Sequence, residues 1–139
     1  MKHVASTMVR TEAAWDSAFR KFRSPQEFLW SSLRALDLSI SSRLVLQILR
    51  TLGHPLWDAP SPQGFSDVTS AWLARDALTN RLDVAERLAM TASVDDLMAL
   101  VDGVLGPGVS AETRDALRHA ETRQQGLALL LMSREFQWR

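Results

Sequence analysis

The chain has 139 residues, 46% of them hydrophobic, and its 16 Lys and Arg balance 16 Asp and Glu. That length suffices for one domain with a real core, and the longest apolar run, Leu127–Met132, is far short of the ~20 residues that span a bilayer. There is no cysteine, which excludes disulfides, thiol catalysis and thiolate metal sites.

Helical signals dominate throughout, and no stretch alternates apolar and polar residues long enough to argue a strand. Met1–Val9 has only a weak apolar face, Val4 and Met8, and no cap before it. It reads as the tail of a helix, so residues 1–12 are expected to be a truncated or frayed start. The first convincing helix opens at Ser24-Pro25-Gln26-Glu27, with Ser24 as N-cap, Pro25 at the first helical position and Glu27 closing a capping box. Phe28, Leu29, Leu33 and Leu36 then carry it to about Asp37. Ser39 or Ser41 caps a second helix with the stripe Leu44, Ile48, Leu49 and Leu52, and Gly53 stops it.

A loop follows, Gly53–Asp67, which holds three of the five prolines and two large aromatics. A third helix begins near Ala74–Asp76 and runs through Leu78, Leu82, Ala85 and Leu88. Ser93 with Asp96 is expected to cap a fourth over Val94–Leu105, facing Leu97, Leu100, Val101 and Val104 inward. Gly106-Pro107-Gly108 breaks the chain. Ser110 caps a fifth helix to about Ala120, and Thr122 a sixth with Leu127, Leu130 and Leu131 in its stripe. A short turn over Ser133–Trp138 packs Phe136 back on the body. The expectation is an all-α fold: one compact helical domain over 1–139, a bundle of about six helices with a long Pro/aromatic-rich loop between the second and third.

Several stretches together resemble one family. They are Trp15, Lys21–Phe28, Leu33–Leu36, Leu52-Gly53-His54-Pro55-Leu56-Trp57, Pro60–Asp67, Ala71-Trp72-Leu73, Arg81-Leu82, and the tail Leu127–Gln137. Their order and spacing are similar to the C-terminal portion of a bacterial family known as domain of unknown function 1800, over about residues 8–139. The resemblance implies a longer parent, of which this chain would be roughly the last third, and relatives that are often exported. Ser133-Arg134 stands where the family usually has Ser-Pro. The family has no established activity, so the resemblance implies a fold and a context rather than a reaction. Its members are often encoded beside a second uncharacterised family related to sulfatases and phosphatases, which implies a protein partner.

Candidates for chemistry are sparse. His3 lies near the start, and His119 near the end of a helix, where a cation suits the dipole. His54 stands in the loop with Asp58 and Asp67 nearby in sequence, a set that can bind a metal or work as acid and base. The resemblance counts against such a role, because its pattern varies at position 54. There is no nucleophile elbow and no phosphate-cradling glycine motif. Neither a catalytic residue, a metal site nor a cofactor is assigned.

Trp57, Phe65 and Trp72 form the richest aromatic group. They are expected to pack against the flanking helices, with truncation of Trp57 costing about 3 kcal/mol or more. The alternative is that one or two of these rings line a groove for a partner. The candidate loop residues are therefore His54, Trp57, Asp58, Phe65, Asp67 and Trp72. Charge is uneven: residues 1–50 carry eight basic and four acidic residues, and 51–139 eight and twelve. Only Arg20-Lys21-Phe22-Arg23 is dense, so nucleic-acid binding is not favoured.

The leading expectation is an uncharacterised, non-catalytic helical module acting through protein–protein contacts, as part or remnant of a larger bacterial protein. Its partner would be another protein or the N-terminal region of a longer homologue. The alternatives are an accessory piece of an exported hydrolase-like system, and a small stand-alone regulator using its basic N-terminal half. As the chain stands it carries no signal peptide, and the cytoplasm is the expected compartment.

Overall fold

A computed structural model describes residues 2–12, 21–66 and 68–139. Eight α-helices lie among them, with no strand: α1 Lys2–Arg10, α2 Pro25–Ala35, α3 Ser42–Thr51, α4 Arg75–Thr91, α5 Leu97–Leu105, α6 Ala111–Arg118, α7 Arg123–Met132 and α8 Arg134–Gln137. The six expected helices are α2 to α7, and the fold is all-α.

Local capping chemistry sets most boundaries. The Ser24 hydroxyl accepts from the Glu27 amide while Glu27 Oε2 accepts from the Ser24 amide at 2.8 Å, a complete capping box. Ser41, Ser110 and Thr122 cap α3, α6 and α7. One start differs from expectation. Asp96, not Ser93, caps α5, because its carboxylate accepts from both the Met98 and Ala99 amides.

The core joins Phe28, Leu29 and Leu33 of α2 to Val45 and Leu49 of α3, Val84 and Leu88 of α4, Leu127 and Leu131 of α7, and Phe136 of α8. A smaller cluster, Val101, Leu117 and Leu130, ties α5 and α6 to the other side of α7. α7 therefore sits between two apolar layers, and its most extensive partner is α4. Gly126 is buried in α7 where an added Cβ would run into the Leu97 side chain, so its lack of a side chain lets α5 approach. By contrast, no residue of α1 is buried.

Two apolar stripes keep part of their expected face, with Leu49 and Leu52 and then Ala85 and Leu88 in the core, and depart from it in part. In α3 the buried residues are Val45 and Leu49, while Leu44 is exposed. In α4 they are Arg81, Val84, Ala85, Leu88 and Ala89, while Leu82 is 41% exposed. An arginine thus occupies a core position.

The end of the chain closes the fold. Lys21 and Arg139 exchange backbone hydrogen bonds of 3.0 and 2.9 Å, and the Arg23 amide donates to the Gln137 carbonyl at 2.8 Å. This short antiparallel bridge sets Phe22 edge-on to Trp138. It also places residues 21–24 beside the loop that follows α3.

Candidate functional site

The loop begins with a defined helix stop. Gly53 adopts φ 76°, its amide donates to the Arg50 carbonyl at 3.1 Å, and the His54 amide donates to the Leu49 carbonyl at 2.8 Å. These paired bonds close a left-handed C-cap. The cap fixes the backbone at His54.

Further along, the Gly64 amide donates to the Ser61 carbonyl at 3.0 Å, closing a turn with Pro62 at its second position. A 3-10 turn at Thr69–Ala71 then delivers Trp72. Trp72 is 8% exposed, and its indole N–H donates to the Ser66 carbonyl at 3.0 Å. The His54 ring lies 4.0 Å from the Phe65 ring, edge to face, and 5.6 Å from that of Trp72. Aromatic packing of this geometry adds roughly 0.5–1.5 kcal/mol per pair beyond area burial.

This cluster forms one wall of a cleft of about 400 Å³. The opposite wall is the first turn of α2 and the residues before it, including Lys21, Ser24, Gln26 and Glu27. Burial alone would raise the Glu27 pKa, but hydrogen bonds from Ser24 and the Arg139 guanidinium, 2.5 Å away, hold it below the usual carboxylate range. Burial pulls the His54 pKa below its ordinary value, with the Glu27 charge opposing. His54 Nδ1 is sealed in the protein without a hydrogen-bond partner.

Of the loop residues singled out from sequence, His54, Phe65 and Trp72 come together here. Trp57 does not. Its side chain is 100% exposed and its backbone takes φ 64°, a conformation that bulky residues rarely adopt. The expected packing of Trp57, and with it the expected 3 kcal/mol cost of truncation, is corrected by that exposure. Asp58 is exposed beside it, and Asp67 lies outside the described residues. Sequence reasoning missed Glu27 and Lys21 as cleft residues; the capping box gave Glu27 a local task only.

It also missed Arg81, which lies close behind the cleft. Arg81 is 1% exposed. Its guanidinium donates to Gln137 Oε1 at 2.7 Å and to the Arg23 carbonyl at 2.6 Å, and lies 4.5 and 5.1 Å from the Phe22 and Phe28 ring centroids. Burial pushes its pKa down to about 10, with Glu27 opposing, so it is charged at neutral pH. Chemically, the cleft offers aromatic surface and hydrogen-bonding groups. Among the described residues no group of three or more His, Asp or Glu is arranged to hold a metal. His54 has no carboxylate on its inner nitrogen to set a tautomer for proton transfer.

The family model for proteins of unknown function, DUF1800, matches residues 1–138, nearly the whole chain. The chain belongs to the DUF1800 family. No curated protein and no solved structure matches it. The DUF1800 match reaches to the first residue, and so takes in α1 as well as the stretches from Trp15 onward that carry the resemblance. In this DUF1800 chain, the Phe136 and Gln137 side chains of the tail are core groups, and Gln137 is half of the Arg81 pair.

Proposed function

We propose that this chain is a non-catalytic helical module that works through protein–protein contacts made by the loop bearing Trp57. One observation carries the reading: a tryptophan held fully in water on a left-handed backbone. Such a conformation costs of order 1–3 kcal/mol, and the exposed indole returns no burial energy to the isolated chain. Tryptophan is also the side chain most enriched where interfaces concentrate their binding energy. The cap at Gly53 and the turn at Gly64 bracket the segment, which limits the ordering entropy lost on binding. The basic N-terminal half supports a nucleic-acid regulator less well, because the Arg23 guanidinium lies over the Phe136 ring instead of standing free.

The test compares wild type with Trp57→Ala as affinity baits in the source organism, after checking that both melt at the same temperature. The expected result is a partner protein retained by wild type and lost with the variant. Partners recovered equally by both, or by neither, would overturn the proposal.

A further inference from the structure

We propose that the cleft between the first turn of α2 and the His54–Phe65–Trp72 cluster binds a small organic carboxylate carrying a planar apolar group. This site is separate from Trp57, and neither proposal depends on the other. The cleft volume, about 400 Å³, lies within the range of small-molecule sites. Its walls combine aromatic rings with a few polar groups, the usual composition of such sites.

The hydrogen-bonding state of His54 defines what the ligand must supply. Nδ1 is sealed and unpartnered. A proton there would be a buried N–H with no acceptor, which is costly. The cheaper neutral tautomer carries its proton on Nε2, the ring nitrogen that is not sealed. His54 lines the cleft, so it presents an uncharged N–H donor and asks for an acceptor.

The charges select an anionic acceptor. Lys21 and Glu27 are the other ionisable residues lining the cleft. Glu27 is already engaged by the Ser24 amide and by Arg139. Its charge is also felt by Arg23 and the buried Arg81. Of the ionisable residues lining the cleft, Glu27 is thus already paired, and Lys21 is the cation a ligand meets there. A carboxylate accepting from His54 Nε2 and paired with Lys21 answers both the unused donor and the charge. A planar apolar group would fill the space beside Phe65.

The test is an NMR titration of the 15N-labelled full chain at neutral pH with benzoate, benzamide and inorganic phosphate. Saturable shifts of the Trp72 indole N–H are expected with benzoate, about tenfold tighter than with benzamide, the scale of one hydrogen bond to a charged group. Lys21→Ala removes an exposed side chain; it should weaken benzoate about tenfold and leave the melting temperature unchanged. His54→Phe should weaken it as well. Benzoate that fails to saturate, that binds no better than benzamide, or that ignores Lys21→Ala would overturn the proposal. Phosphate binding as tightly as benzoate would overturn the apolar part of it.

Discussion

Arg81 lies in the core with two carbonyl oxygens and two aromatic rings in place of water. Removing the guanidinium leaves Gln137 Oε1 and the Arg23 carbonyl without their donor, and each orphaned acceptor costs about 1–3 kcal/mol. Arg81→Leu is therefore expected to lower stability by about 3 kcal/mol in urea unfolding. The double-mutant cycle with Gln137→Leu should return a coupling of about 1 kcal/mol or more. A loss under about 1 kcal/mol for Arg81→Leu would show that the network contributes little. Trp57 is the opposite case, a large side chain outside the core. Trp57→Ala should change stability by less than about 0.5 kcal/mol, the range of surface substitutions. Trp57→Gly should be more stable than Trp57→Ala, because glycine takes φ 64° without strain. Equal melting curves for the two variants would mean that the backbone at 57 relaxes once the indole is gone.

At the scale of elements, α2 and α3 end in the same way with different residues. The Asp37 amide reaches the Arg34 carbonyl and the Leu38 amide the Leu33 carbonyl, the same paired bonds that close α3 at Gly53 and His54. Asp37 adopts φ 50° and Gly53 φ 76°. Gly53→Ala should cost about 1–2 kcal/mol, the penalty of a Cβ in the left-handed region. Asp37→Gly should be neutral or stabilising by up to about 1 kcal/mol, since relief of that strain exceeds the added chain entropy. Thermal melts of the two variants check both signs. Caps of this kind were legible in the sequence because donor and acceptor sit within a few residues of each other, as in Ser24 with Glu27. The buried face of α4 was legible only in part. Its buried positions 81, 84, 85 and 88 keep helical spacing, but the first is a charge, so hydropathy alone chose Leu82.

For the whole molecule, pH dependence follows from the neutral, partly buried His54. Its folded pKa lies below its ordinary value, so as pH falls through that value the unfolded chain takes up a proton first. Stability should be fully present above the ordinary value of 6.5 and decline as pH falls through it and below. His54→Gln should flatten the decline in urea titrations across that window, and an unchanged slope would place the pH response elsewhere. Glu27 and Glu135, both held below their ordinary value of 4.5, act only at lower pH.

The amino-acid sequence by itself determined the helices, most of their caps and the stop at Gly53, because each rests on contacts within about one turn of helix. It also marked six candidate residues in and around the loop, among them His54, Phe65 and Trp72. Only the tertiary structure decided that these three meet while Trp57 faces water, and that Lys21 and Glu27 complete the cleft. Only it paired Arg81 with Gln137, 56 residues away. Partners that distant are chosen by how α2, α4 and the end of the chain close around one another, and no local pattern of polarity records that choice.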